Sequence, residues 1–372
     1  MKIEGALLRE IRLRLRERFE ISSGSRQDRR ILLLTLEGEG AEGWAECVAA
    51  EDPSYSYETT ETAWHLLTDF LLPGVVGRSF RSPDRVLEPV AWVRGHPMAR
   101  AAVEMAAWDL DARAGGVSLA RRLGGRRRRV RVGVSVGLQP DDESLVRQVE
   151  RYLERGYARI KVKVKPGRDV EMLTRLRRRF GAELPLMADA NSAYTLDDLP
   201  RLKELDELGL MMIEQPLAHD DLRDHARLQE ELRTPICLDE SIRSVRDLEL
   251  ALELGSCRIV NVKPGRVGGL GPSLRIHELC RARNVPLWCG GMLESGVGRA
   301  HNLALATLPG FTLPGDISES GRYWKEDVVS PEFRLRDGAL PVSSKAGIGV
   351  EVRRERIDEL TVRRAEFGRG TS

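Results

Sequence analysis

The sequence predicts an α/β protein: a (β/α)8-type barrel over residues 126–320, fronted by an α+β capping domain over residues 1–125 to which residues 321–372 return. Two observations predict it. From about residue 130 to 320, short apolar runs alternate with amphipathic helical segments at nearly constant spacing. Outside that stretch the repeat is lost and hairpin-like patterns take over.

The repeat is read from the polar or small residue that ends each apolar run. These are Ser135, Lys163, Asp189, Glu214, Asp239, Lys263, Cys289 and Asp316, at intervals of 28, 26, 25, 25, 24, 26 and 27 residues. Eight strand–helix units so spaced are what a closed parallel barrel requires. A doubly wound open sheet is the competing arrangement. It predicts fewer regular units and a Gly-rich phosphate turn after its first strand, and no such turn is found. One helical unit, "RSVRDLELALELG", places Ser244 three residues before Asp247 as a capping box and ends in glycine.

Ahead of the barrel, "RRILLLTLEGEGAEGWAECVA" reads as a β-hairpin turning at Glu37 to Gly43, and helical segments follow at 58–72 and 98–114. "ISSGSRQDRR" (Ile21 to Arg30) is small and polar, and suits a lid over a site or a plain hairpin loop equally. The basic run "RRLGGRRRRVRV" (Arg121 to Val132) reads as a solvated interdomain connection turning at its two glycines. The tail "GALPVSSKAGIGVEV" is too strand-like for a last barrel helix and is expected to return to the first domain.

Bulk properties exclude several classes. A chain of 372 residues exceeds one small core, and 41% hydrophobic with 31% charged residues fits a soluble globular protein. A net charge of +2 predicts no general affinity for nucleic acid or membrane. The five cysteines (47, 237, 257, 280 and 289) are scattered without a CxxC pair, which argues for reduced thiols, a cytoplasmic setting and no structural zinc. The N-terminus lacks an apolar signal core, and no window approaches ~18 apolar residues.

The charged residues carry the functional argument. Lysine supplies only 8 of the 59 basic residues, yet Lys161, Lys163 and Lys165 alternate in "RIKVKVKPGRD". Barrel strands are packed on both faces, so charge is tolerated mainly at the C-terminal mouth, where barrel enzymes place their chemistry. If Val162 and Val164 face the helices, Lys161 and Lys163 face the lumen. The same register brings Asp189, Glu214 and Asp239 to the mouth on three successive strands. Three convergent carboxylates repel unless a cation lies among them, and a hard divalent ion, magnesium by default, is the economical answer. Lys163 and Lys263, on the second and sixth of eight strands, face each other across the mouth. Lysine can lose its proton where arginine cannot, so each can act as an acid or base on one face of a substrate. A metal-chelated carboxylate substrate could then lose its α-proton. Proton return to the other face racemises it, and loss of a β-hydroxyl dehydrates it.

The ordered set "KVK", "DANSAY", "IEQP", "LDES", "NVKPGRVGG" and "GGMLESGVGRA" resembles the enolase superfamily. Within its muconate-lactonizing-enzyme branch the chain looks most like the o-succinylbenzoate synthase/N-acylamino acid racemase group, over essentially its whole length. The resemblance implies Lys163 and Lys263 as the acid/base pair, with Asp189, Glu214 and Asp239 as ligands of Mg2+, for which Mn2+ could substitute. It further implies that Lys161 assists at the substrate carboxylate and that Asn191 and Glu240 lie in or near the metal's shell. Ser135 and the turn Gly290, Gly291, Met292 and Leu293 would line the substrate pocket, and the segment near 19–30 would close over it. Lys165 has no family role and is expected at the surface. Arg266 could adjust the basicity of Lys263, or be a loop arginine remote from substrate. None of the six histidines falls at a strand end, which disfavours the histidine-base branch of the superfamily.

The implied activity is Mg-dependent enolisation of a small-molecule carboxylate, by dehydration to o-succinylbenzoate in menaquinone biosynthesis and by racemisation of N-acyl, including N-succinyl, amino acids. A dipeptide epimerase or cycloisomerase is the alternative within the superfamily. Asp316 and Glu319 of "PGDISES" are its ambiguous acidic signature. A Schiff-base aldolase-type barrel and a non-catalytic metal-binding barrel are the other classes compatible with the barrel. A homo-oligomer is expected, because barrels of this kind self-associate.

Overall fold

The computed structural model describes residues 1–21 and 24–368. Ser22 and Ser23, inside the segment read as a lid, lie outside the described residues. The remainder of that segment belongs to a long antiparallel hairpin, Gly5–Ile21 with Gly24–Gly38.

An antiparallel sheet of four strands opens the chain, ordered Thr361–Gly368, Gly5–Ile21, Gly24–Gly38, Ala41–Cys47. The last described strand thus pairs with the first, Gly5 opposite Gly368. The predicted turn closes through Glu39 and Gly40, both at positive φ (52° and 73°), as a two-residue hairpin loop requires. "ILLLTL" is buried at every position and reads as an unbroken apolar run because both faces of this strand are covered. One cover is the helix Pro97–Ala114, whose alanines at 99, 101, 102, 106, 107 and 112 are all buried. The approach is closest at Gly43, where a Cβ would stand 2.1 Å from the Ala106 carbonyl oxygen, so only glycine fits.

Seven parallel strands run in sequence order through Val134–Val136, Ile160–Lys163, Leu186–Asp189, Ile213–Glu214, Ile236–Leu238, Ile259–Val262 and Leu287–Cys289. The segment 311–316 closes the ring. Val132 and Leu287 make parallel bridges to Gly315 and Phe311, and Asp316 N donates to the Cys289 carbonyl at 2.9 Å. Each of the first seven strands is followed by a helix, but the eighth is followed, among the described residues, only by a short turn at Ser320–Arg322. The chain leaves for the first domain there, so among the described residues helices follow seven of the eight strand positions, the sixth being followed by two, Pro264–Val267 and Leu270–Ala282.

Period-two alternation divides the strands. Leu186, Ala188, Ile213, Ile236, Leu238, Val260 and Val262 join the large apolar core, whereas Met187, Met212, Cys237, Ile259 and Trp288 form a separate fully enclosed cluster. Three of these plug residues stand two positions before Asp189, Glu214 and Asp239, so the lumen is apolar directly beneath the charged layer. Burying each contributes roughly 1.5–3 kcal/mol. Cys289 lies in the outer core, and Trp288 is the inward residue of its strand. Its place in the spacing series therefore marks the strand, not the mouth. All five cysteines are buried and free, and no described helix is long and apolar enough to cross a membrane.

Carboxylates of the first domain hold it against the barrel. Glu46 accepts from Ser295 N (2.9 Å) and Oγ (2.6 Å) at the start of helix Gly296–Leu305. Glu104 accepts from Leu270 N and Gly271 N, both at 2.7 Å, at the start of helix Leu270–Ala282. An anion at a helix N-terminus is favourable and satisfies otherwise orphaned N–H groups. Glu104→Ala should therefore destabilise the protein by about 2 kcal/mol or more, read as a lower urea midpoint, because it leaves two buried donors without acceptors.

Candidate active site

The second barrel strand builds the site by alternation. Arg159, Lys161 and Lys163 all point into the lumen and are buried, while Ile160 and Val162 face the helices. Lys165 lies past the strand end and is exposed. Arg159 stands lowest. Its guanidinium lies over Trp288 (4.7 Å) and its Nη2 donates to Asp316 at 2.5 Å. Lys161 stands above it and pairs with Asp189 (2.9 Å), Glu214 (2.9 Å) and Asp316 (2.6 Å). Lys163, uppermost, donates to Asp189 Oδ2 and to Asn191 Oδ1, both at 2.6 Å.

Across the mouth, Lys263 donates to Asp239 Oδ2 at 2.7 Å and to the Tyr55 hydroxyl at 3.0 Å, with its ammonium over the Tyr55 ring. Arg266 is buried and shares both partners. It pairs with the other oxygen of Asp239, reaches Tyr55 at 3.3 Å, and is held by the carbonyls of Ile242 and Asn261. Arg266 is therefore not remote from the mouth but shares Asp239 and Tyr55 with Lys263.

The predicted ligands are brought to one mouth but not to one point. Among the described residues, no three carboxylates stand at metal-binding separation. Asp189 and Glu214 share the Lys161 ammonium, and Asp239 is turned towards Lys263 and Arg266. The donor set nevertheless fits a hard divalent cation. All three are buried oxygen ligands at strand ends, and beside them Glu240 is buried with one carboxylate oxygen that has no partner. Asn191, at φ 44°, links that glutamate to Lys163, donating to Glu240 at 2.8 Å while accepting from the lysine.

The electrostatics follow from burial and pairing. Burial pushes the Glu214 carboxyl up, and the charge of Asp189 adds to this. Burial also pushes Glu240 up. At Asp189 burial acts the same way, but Lys161 and Lys163 overcome it and hold the carboxyl below its ordinary range. Desolvation would lower Lys161 and Lys263; Asp189, Asp316 and Glu214 outweigh it at the first, and Tyr55 and Glu240 at the second, so both ammonium groups are raised.

Ser135 sits on the first strand beside Lys161, buried, with no partner for its hydroxyl. Gly290 backs Lys263 so closely that a Cβ would stand 2.7 Å from the lysine Cε and 2.2 Å from Asn261 Oδ1. Gly291 abuts the Asp316 carbonyl, and Met292 and Leu293 are half-buried at the rim. From the hairpin, Arg29 reaches the Met292 carbonyl at 3.4 Å.

Four participants were missed in the sequence. Asn261 donates to Glu214 at 2.7 Å and stands two residues before Lys263, so the alternation that found Lys161 could have found it. Arg159 was available by the same rule. Gln215, at φ 40°, holds the next strand's mouth by accepting from Asp239 N and Ser241 N, and only the "EQP" neighbourhood hinted at it. Tyr55 comes from the first domain, and no local pattern marks it.

The match to known proteins is extensive. Residues 4–124 match the "Mandelate racemase / muconate lactonizing enzyme, N-terminal domain" model, and residues 144–356 the "Enolase C-terminal domain-like" model. An o-succinylbenzoate synthase from Geobacillus kaustophilus is 51% identical over 97% of this chain and 96% of its own length. An N-succinylamino acid racemase from Thermus thermophilus is 53% identical over 97% and 98%. A solved enolase-superfamily member from Listeria innocua, 43% identical, superposes with a TM-score of 0.95 over 99% of both chains.

Asp316 provides a test of the charged layer. Burial raises its carboxyl, but Arg159 and Lys161 bring it down from 3.8 to about 2. A carboxyl lowered in the folded state contributes stability above pH 3.8 that is lost as the pH falls to about 2. The contribution is about 2 kcal/mol. Asp316→Asn should lower stability at pH 7 and flatten acid unfolding across that window, measured by circular dichroism.

Proposed function

The chain belongs to the mandelate racemase/muconate-lactonizing enzyme family of the enolase superfamily, and from that premise we propose that it enolises carboxylate substrates, forming o-succinylbenzoate by dehydration and racemising N-succinylamino acids. The observation that supports this reading best is the lysine pair. Lys163 and Lys263 stand on the second and sixth of eight strands, both buried and on opposite sides of the carboxylates.

Asp189, Glu214 and Asp239 would hold a magnesium ion, with Glu240 beside them. The ion supplies electrostatic stabilisation for the negative charge that develops on the substrate carboxylate. The chain's own groups do the rest. Lys163, oriented by Asp189 and Asn191, removes the α-proton from one face. Lys263, whose ammonium Tyr55 and Glu240 raise above its ordinary value, faces the other side. It returns a proton there in racemisation and offers a fixed positive charge in dehydration. Lys161 adds a second positive charge below the carboxylate position. Ser135 and the Gly290–Leu293 turn line the pocket, and the hairpin of Gly5–Ile21 and Gly24–Gly38 closes it.

The dipeptide epimerase reading loses its acidic signature. Asp316 is occupied by Arg159 and Lys161, and Glu319 by Arg155 and the Leu335 N–H. We place the enzyme in the cytoplasm, as its buried free thiols favour, and expect copies to associate, as exposed Trp92 and Phe70 favour.

The test is proton NMR of N-succinyl-phenylalanine in D2O. The wild type with magnesium should exchange the α-proton and racemise the substrate; chelation should stop exchange, and magnesium should restore it. Lys163→Ala and Lys263→Ala should each lower racemisation by about 10³-fold. Exchange that survives chelation, or that survives in Lys163→Ala, would sink the proposal. Dehydration, followed by ultraviolet absorbance, should need the same metal and Lys163.

A further inference from the structure

Away from the mouth, four arginines converge on one cavity. Arg16 comes from the hairpin, Arg151 and Arg155 from the end of helix Asp142–Glu154, and Arg322 from the turn that replaces the eighth barrel helix. The cavity measures about 320 Å³ and is also lined by Glu17 and Tyr152. It shares no residue with the lysine–carboxylate layer.

Arg322 is the unusual member. Its residue is only 9% exposed, yet its guanidinium makes no hydrogen bond among the described residues, and its buried Nε has no partner. Its nearest carboxylate oxygen among the described residues, on Glu17, is 3.9 Å away. What holds it is flat aromatic surface, with Tyr152 and Tyr323 rings each 5.3 Å from the guanidinium carbon. Five donors in a fixed fork, sandwiched and turned towards a cavity, are costly unless an acceptor meets them. Arg151 reaches Glu17 only at 3.5 Å, and Arg16 donates to the Gly321 carbonyl at 3.3 Å. Arg151 donates to the Gln148 side-chain oxygen, and among the described residues Arg155 is the one of the four closely paired with a carboxylate, Glu319. Among the described residues, four guanidinium groups therefore face two carboxylates, Glu17 and Glu319, which leaves two positive charges over.

We propose that this cavity binds a phosphate group, taken either as inorganic phosphate or as the phosphate of a small monoester. A tetrahedral dianion balances the surplus charge and accepts from guanidinium forks in the geometry arginine favours. The volume exceeds what the ion alone fills, so a small organic body fits behind it. The site lies on the joint between hairpin and barrel, because Arg16 N donates to the Tyr323 carbonyl at 2.8 Å and Leu15 bridges Trp324. A phosphate bound there ties Arg16 to Arg151 and Arg322, and so steadies the root of the hairpin. The inference does not depend on the reaction proposed above.

Isothermal titration calorimetry of the full-length protein, at constant ionic strength in chloride, tests it with inorganic phosphate and ribose 5-phosphate as probes. One saturable site per chain is expected. Arg151→Gln/Arg155→Gln, both surface changes that keep the fold and the phosphate-free activity, should weaken binding at least tenfold, and Arg322→Met should abolish it. Tighter binding of the monoester supports the site with an organic phosphate as ligand; equal affinity supports it with inorganic phosphate. No saturable binding of either probe, or binding unchanged in Arg151→Gln/Arg155→Gln, overturns the proposal and leaves solvent as the partner of Arg322.

Discussion

The fold and the site depend on one buried contact, the Lys161 ammonium held among Asp189, Glu214 and Asp316. Taking charges out of water costs several kcal/mol each, and the cost is offset only where pairing is close and complete. Here one lysine answers three carboxylates from three other strands, so the pairing that makes the mouth tolerable also laces the strands together. Asp316 is the critical partner because it stands on the eighth segment, which is bonded to its neighbours by only a few backbone contacts. Its ion pairs to Lys161 and Arg159 complete a closure that the short strand could not secure alone. Beneath them, the Trp288 plug keeps the lumen dry and presents its ring to both cations.

A second constraint joins the domains. The first domain does not merely cover the barrel; its carboxylates Glu46 and Glu104 satisfy the N-termini of two barrel helices. Burial raises both carboxyls, to about 8 and about 7, against the opposing pull of the N–H groups each accepts from. Helix Gly296–Leu305 follows directly on the 290–293 turn. Glu46 therefore fixes the rim of the pocket from the other domain, and Tyr55 completes the environment of Lys263 from the same side. Pocket shape is a property of the two domains together.

The fold was legible where physics imposes a period. The strand spacing found the mouth residues because each must rise to the same level of one ring, and lumen alternation separated Lys161 and Lys163 from Lys165. It failed where the period carries no information. Cys289 has the right spacing but the wrong parity, since its neighbour Trp288 fills the lumen. That no helix closes the eighth unit was legible in the strand-like tail Gly338 to Val352, but the strand that joins the first domain's sheet, Thr361–Gly368, lies beyond it. Tyr55 and Gln215 act through tertiary contact and through a left-handed backbone, and neither leaves a mark in hydrophobic patterning.

On the proposed reading, the two reactions differ only after the α-proton has gone, and that difference cannot lie in the charged layer. Lys163, Lys161 and the carboxylates see the same developing charge in both. What distinguishes them is whether Lys263 delivers a proton or only faces a departing hydroxyl, and this rests on how the substrate's far end is held. Lys263 itself is constrained from three sides: Asp239 and Tyr55 take its hydrogen bonds, Arg266 competes for both, and Gly290 leaves no room behind it. A lysine so confined cannot move to suit a substrate, so the substrate must come to it. Selection between the reactions therefore falls to the groups that position the rest of the molecule, Ser135, the 290–293 turn and the hairpin. Ser135 has a hydroxyl without a partner and Met292 and Leu293 lie half-buried at the rim, where a substrate's far end can meet them while the ion pairs of the charged layer stay fixed.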